Sequence, residues 1–333
     1  MGMFEFLLRK LGWDAASRQQ ARELARQVEQ LLEACDRRLC LLPGHQHALM
    51  PGMRIAQSHL ATLSEKLPPA LELSLQSFAR DPRLGLLFAG PSSLLDVLEG
   101  SESLRAFFSS ASNGDEAWAL MTMQRSETAR FGVAMENGEL RNDVAQTVVS
   151  FDCHGLQLPC ASEEAFRTQS GERALHVLTA VIARQLGLLE QTRLQLEAEL
   201  GRLQLRRLTL QSPSRIVVDG QGGDDLPDTL ADLDKRLSEV RPQLESLREL
   251  NSLEGALDTV RHVLEHPGDY FSLENVTLLL NRMGIKCEAG EDGATTLQLE
   301  ELVLGRERPT RRALMPVKIH RESIAELRRQ FRD

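Results

Sequence analysis

A chain of 333 residues, 42% hydrophobic and 26% charged at a net charge of −9, holds enough apolar material for one or two cores without metal or disulfide support. That balance excludes a disordered chain and a collagen-like fibre, and the net acidity argues against polyanion binding over the whole surface. Leu fills 59 positions while the aromatics make up only 4%, which favours helices packed through leucine over an aromatic-rich β-sandwich. The 34 Arg against 5 Lys is a skew that a GC-rich genome produces as easily as selection for Arg chemistry, and it carries no functional weight.

Residues 1–13, MGMFEFLLRKLGW, place Met3, Phe4, Leu7, Leu8 and Leu11 on one side of a helix. Such a segment docks on the protein's own core or lies in a membrane interface, with Trp13 at headgroup depth. Its two cations add little attraction to anionic lipid. Asp14 can cap the next helix, in which Ala21, Leu24, Val28, Leu31, Cys35 and Leu39 recur at three and four residues. Leu42-Pro43-Gly44 ends that stripe, and Pro51-Gly52, Pro68-Pro69, Asp81-Pro82 and Gly90-Pro91 predict a series of short helices. A helical domain over 1–112 results. Cys35, Cys40, His45 and His47 lie within thirteen residues, but their spacing fits neither half of a zinc-ligand pattern. Cys35 is read as a small hydrophobe of the apolar stripe.

Within a segment spanning 113–161, the period changes to two from Trp118 to Leu158. Phe131, Val133 and Met135 alternate with small residues, Asn137-Gly138 supplies a type I′ turn, and Thr147, Val149, Phe151 and Cys153 form a second alternating set. With a turn at His154-Gly155 this predicts a three- or four-stranded antiparallel meander, residues 117–124 reading equally as strand or helix. Asp152, Cys153, His154 and Cys160 are the nearest thing to a reactive group. A catalytic Cys–His pair needs the imidazole within hydrogen-bond reach of the sulfur, whereas neighbours on a strand point to opposite faces. The spacing leaves open whether Cys153, His154 and Cys160 have any chemical role.

The most informative stretch is 162–268. Ser162 is a plausible N-cap, and Leu175, Ile182, Leu189, Leu196, Leu203 and Leu210 recur every seven residues. Leu178, Leu186 and Leu200 support a companion position that Arg193 and Arg207 interrupt. After the Pro- and Gly-rich connection 211–227 comes a second run, Leu226, Leu230, Leu233, Leu237, Val240, Leu244 and Leu247, at alternating four and three. It slips phase and resumes at Leu253, Leu257, Val260 and Leu264, and Pro242 predicts a kink. Two arms of near-equal length, each roughly 55–60 Å at about 1.5 Å per residue, predict an antiparallel coiled-coil hairpin. The competing arrangement is a globular bundle in which helices from the first third pack on both arms. Asp219, Gly220, Gly222, Gly223, Asp224 and Asp225 in the tip lack the ligand spacing and terminal Glu of a calcium loop.

His266-Pro267-Gly268 closes the hairpin. Ser272 to Gly284 reads as a helix, followed by strands over 285–289, 297–303 and 313–319 and a last helix from about Glu322 to Phe331, a basic α+β module over 269–333. Residues 303–333 hold nine basic and four acidic side chains. Helix then hairpin with basic residues is loosely reminiscent of a winged helix, in which Arg306, Arg308, Arg311, Arg312, Lys318 and Arg321 would meet phosphates. A basic rim pairing with the acidic remainder is the more economical account, since stacking aromatics are missing.

The fold class expected is therefore α+β and predominantly helical. The five cysteines are odd in number, with no secretory signal before them, and no apolar run is long enough to span a bilayer. These features point to reduced thiols in the cytoplasm, with peripheral membrane contact through 1–13 as a side reading. The chain lacks the short motifs of nucleotide-binding, serine-hydrolase, zinc-protease and thiol-redox enzymes. No catalytic residue, cofactor or metal is assigned. The leading expectation is a non-enzymatic interaction or scaffold protein. It would bind a protein partner or a second copy, as a dimer, through Leu175, Ile182, Leu189, Leu196, Leu203, Leu210, Leu230, Leu237 and Leu244. Nucleic-acid binding through the basic C-terminal module is the rival.

Overall fold

The computed structural model describes residues 3–110, 112–136, 139–211, 227, 229–288 and 293–332, with side chains from 18 onward outside 134–141 and 143. Among these the chain forms two units, each assembled from separated stretches: 1–56 with 176–267, and 57–175 with 268–333. The four consecutive domains expected from sequence are not how the chain divides. Residues 57–110 leave the first helices for the sheet, because the strand over 71–73 pairs with one near the other end of the chain.

The first unit is helical. Helix α1 (Met3–Cys35) runs without a break through Asp14, so the expected cap there does not exist. A 3-10 turn over 37–41 follows, with the Asp36 side chain accepting from the Arg38 amide. Helix α2 (His45–Glu65) passes through Pro51, where a break was expected. Pro51 lies in the second turn, and both it and His47 are exposed, so the carbonyl deprived of its donor meets water. Leu24, Val28, Leu31 and Leu32 of α1 and Leu49, Met53 and Ala56 of α2 are buried.

Helix α7 (Glu163–Gln211) begins where predicted, with the Ser162 hydroxyl accepting from the Ala165 amide at 3.2 Å. Helices α8 (Leu230–Leu250) and α9 (Leu253–Glu265) follow. The phase slip read between Leu247 and Leu253 is a helix end: Asn251 terminates α8 and Ser252 caps α9, its hydroxyl accepting from Gly255 N at 3.0 Å. Pro242 lies inside α8, which continues through it for eight more residues. The expected tip over 211–227, with Asp219 to Asp225, falls outside the described residues apart from 211 and 227. Packing of α2 on α9 is close at Gly52, where an added Cβ would come within 2.9 Å of Leu264 Cβ.

The second unit is a six-stranded sheet with helices on both faces. Strand β1 (Leu71–Leu73) is followed by helices α3 (Leu75–Arg80), α4 (Pro82–Leu87), α5 (Pro91–Gly100) and α6 (Glu102–Ser109). Pro82 and Pro91 open helices, as their missing amides favour. Pro68-Pro69 leads instead into β1. The meander is one long hairpin of β2 (Glu116–Glu136) and β3 (Glu139–Cys160), so residues 117–124 are strand and no turn occurs at His154-Gly155. Its Asn137-Gly138 turn lies outside the described residues, bracketed by the pair Glu136↔Glu139.

Strand β4 (Phe271–Leu280) occupies the stretch expected to be helical. All ten of its residues pair with β5 (Thr295–Leu304), burying Leu278 and Leu280. Gly284 is not a helix cap but a turn residue at φ +73, with the Val149 carbonyl oxygen 2.6 Å from where its Cβ would stand. Ile285 and Lys286 form isolated bridges to Val148 and Leu280 rather than a strand. Strand β6 (Thr310–His320) and helix α10 (Arg321–Phe331) match expectation.

The strand order is β3-β2-β6-β5-β4, with β1 parallel to β6. Alternation divides the side chains between two cores. Ala117, Ala119, Met121 and Met123 of β2 join Ala313, Met315, Val317 and Ile319 of β6 under α3 to α6 and α10. Leu314, Trp118, Leu120 and Cys160 pack on the other face with Phe166 at the start of α7.

Candidate interaction surface

Two residues of the seven-residue repeat on α7, Leu196 and Leu203, pack against α8. Leu203 packs with Leu233, Leu237 and Val240, joined by Leu196 and Leu200. Ion pairs tie the helices, with Arg207 meeting Asp234 at 3.1 Å, Arg236 meeting Glu199 at 2.8 Å and Arg248 meeting Glu197 at 3.5 Å. Later residues of α7 meet earlier residues of α8, so the two run in opposite directions. Nearer the start of α7, the Cys35 thiol donates to the Thr179 carbonyl at 3.4 Å. Burial pushes that thiol up to about 12, which makes Cys35 a packing group and not a nucleophile.

This geometry sorts the leucines nominated for partner binding. Ile182, Leu203, Leu237 and Leu244 are buried within the unit, and Leu175, Leu189 and Leu196 are half-buried. Only Leu210 and Leu230, near the ends of the two arms, are exposed. Ile182, Leu203, Leu237 and Leu244 are therefore taken up by intrachain packing.

A second stripe escaped the sequence reading. Leu194, Leu205 and Leu208 are 52%, 66% and 64% exposed. With Ala198 and Gly201 they follow one another at four, three, four and three residues. At about 100° per residue they fall within roughly 40° of one line, about 180° from Leu203. α7 thus carries apolar residues on both faces, one occupied by α8 and the other open. The signal was present in the spacing but buried in the leucine richness of 194–210.

The basic C-terminal residues form a paired rim. Arg306 meets Asp269 at 4.0 Å, Lys318 meets Glu116 at 3.0 Å, Arg321 meets Asp115 at 2.9 Å, and Arg312 donates to the Gln124 side chain at 3.4 Å. Arg311 meets Glu274 at 2.5 Å and Glu301 at 3.4 Å; Arg308 is exposed. Glu301 is 2% exposed and also takes Arg125 Nε at 2.6 Å and Nη2 at 3.2 Å. Arg125 also pairs with Glu127, whose carboxyl is held below the usual range by Lys286 at 2.6 Å and then by Arg125.

The cysteine and histidine candidates do not converge. Cys153 is exposed at φ 52, Cys160 is buried with its thiol donating to the Leu158 carbonyl, and His154 turns the other way. The His154 ring stacks on Phe88 at 4.9 Å and 21°, with Nε2–H donating to the Leu87 carbonyl at 2.9 Å. Burial lowers its pKa against the opposing effects of that carbonyl and Asp152. His45 meets Glu29 at 2.6 Å. Among the described residues no group of three His, Cys, Asp or Glu is placed to hold a metal, and no helix is long and apolar enough to cross a membrane. A polar cleft of about 460 Å³ beside β1 is lined by Glu72, Gln76, Ser77, Arg80 and the Asp81–Arg83 pair, none of them a nucleophile with a neighbouring base.

Compared with family models, with curated proteins and with solved structures, the chain matches none of them.

Proposed function

We propose that the chain is a non-enzymatic interaction protein of the cytoplasm. In this reading α7 and α8 form an antiparallel coiled-coil hairpin whose inner seam joins the arms and whose outer stripe on α7 receives another polypeptide. The observation that carries it is the exposure of Leu194, Leu205 and Leu208 on one line of a helix whose opposite face is already buried. Exposed large apolar side chains scattered singly need no explanation, whereas an aligned row at coiled-coil spacing is what a partner helix recognises. The pairing of Arg306, Arg311, Lys318 and Arg321 with carboxylates supports this reading over phosphate contact, since those cations already have counter-charges.

The test is site-specific photo-crosslinking in cells, with a photoreactive residue at position 205 and a control at the exposed position Asp258. A discrete protein adduct from 205 and none from 258 is expected. Equal labelling from both, or none from 205, overturns the proposal.

A further inference from the structure

We propose that the occupant of the outer stripe is the same stripe of a second copy of this chain, with the two α7 helices parallel and in register. This rests on the reading of α7 as the interaction surface and commits it to one partner. The four-three spacing of Leu194, Ala198, Gly201, Leu205 and Leu208 is the pattern by which a helix presents one continuous seam to another. Ala198 and Gly201 at its middle let the backbones approach, and among the described residues nothing outside the helix's own backbone and the neighbours of Gly201 lies within 4 Å of an added Cβ there.

Charge then selects the orientation. Glu197 flanks the seam on one side and Arg202 on the other. In a parallel pair, the residue preceding one apolar layer faces the residue five positions further along the partner helix. Glu197 therefore meets Arg202 of the partner subunit, and the two-fold axis makes that contact twice. In an antiparallel pair centred on Gly201 each flank faces its own kind, which sets Arg202 against Arg202 of the partner subunit. Glu197 makes its contacts with Arg193 and Arg248 through Oε1, so Oε2 can accept the new bond without breaking either. Arg202 is exposed, and its Nε bond to the Ala198 carbonyl, at 3.4 Å, commits only one of its nitrogens.

Three leucines a copy make a small apolar seam, below the roughly 1,200 Å² typical of stable complexes, which sets the expected dissociation constant in the micromolar range. Sedimentation of the full chain over roughly 1–200 µM is expected to show a monomer–dimer equilibrium. Leu205→Glu with Leu208→Glu should weaken it by more than about tenfold at unchanged helix content, since both side chains are exposed. Arg202→Glu alone should weaken it severalfold, and adding Glu197→Arg should restore it.

Orientation is read from Ala198→Cys in a Cys153→Ser background. Parallel pairing joins the two copies through position 198 on mild oxidation, whereas antiparallel pairing sets 198 opposite 204. A monomer throughout the range, a dimer indifferent to the leucine changes, or a dimer without rescue and without the 198 cross-link each overturns the proposal. A monomer whose position 205 still captures a different protein in cells overturns this inference alone and leaves the function reading standing.

Discussion

Leu203→Ala and Leu205→Ala make the same chemical change two residues apart on α7, yet the structure assigns them different costs. Leu203 is 1% exposed and is packed by Leu233, Leu237 and Val240; Leu205 is 66% exposed. Removing three buried carbons at about 0.8 kcal/mol each gives about 2.4 kcal/mol. Incomplete collapse of the cavity raises this into the 3 to 4 kcal/mol range, within the roughly 2–5 kcal/mol seen for such changes. The exposed position should move stability by no more than about 0.5 kcal/mol. Urea unfolding followed by ellipticity at 222 nm, below the concentration of any self-association, separates them. Equal midpoints for the two variants would refute the assignment of inner and outer faces on α7, and with it the proposed hairpin seam.

Arg125→Met leaves Glu301 buried with only the longer contact to Arg311, and should cost roughly 3 kcal/mol or more by the same unfolding measurement; a loss under about 1 kcal/mol would show that the pair is as weak as an exposed one. Gly255→Ala drives a Cβ to 2.2 Å from the Glu249 carbonyl, so it should destabilise by about 1–3 kcal/mol, while Gly187→Ala, with open space in mid-helix, should stabilise by about 0.5–1 kcal/mol. Matching signs would contradict the tight α8–α9 joint. For His154, the folded protein disfavours the proton, so its contribution is intact above the ordinary value of about 6.5 and is lost as pH falls through that value towards the lowered native one. His154→Phe keeps the stacking on Phe88 but should flatten the loss of stability between about pH 7.5 and 5.5; an unchanged slope there assigns it to other groups.

Periodicity made the helices and β6 legible, and hid what depends on distant pairing. Helix α7 was legible because Leu175, Ile182, Leu189, Leu196, Leu203 and Leu210 recur at a fixed helical interval whatever lies outside them. The same leucine richness concealed the outer stripe, since Leu205 and Leu208 stand among Leu203 and Leu210 and a single sequence does not say which face is taken. Strand β4 was misread because Leu278, Leu279 and Leu280 form an apolar run without alternation, followed by a glycine that suits a helix end equally well. Its true state is fixed by β5, more than a dozen residues on. Pro51 looked like a breaker because the missing amide was counted without asking where the orphaned carbonyl would point. β1 meets β6 across more than two hundred residues, a pairing for which no local signal exists. At Cys153 the left-handed backbone, invisible in composition, shifts the alternation of β3, so that Phe151 and Leu156, five residues apart, enter the same core.

Strand β6 is hydrogen-bonded to β2 along one edge, while the other edge is shared between β5 and the short β1. It is also the last strand of the sheet to leave the ribosome. Between the synthesis of β2 and that of β6 the whole of α7, α8 and α9 must be made, an interval on the order of 10–40 s at about 5–20 residues per second. Throughout it, the nascent hairpin of β2 and β3 exposes an unsatisfied edge bearing Met121 and Met123. Fusing β6 beside β2 by circular permutation should remove that interval.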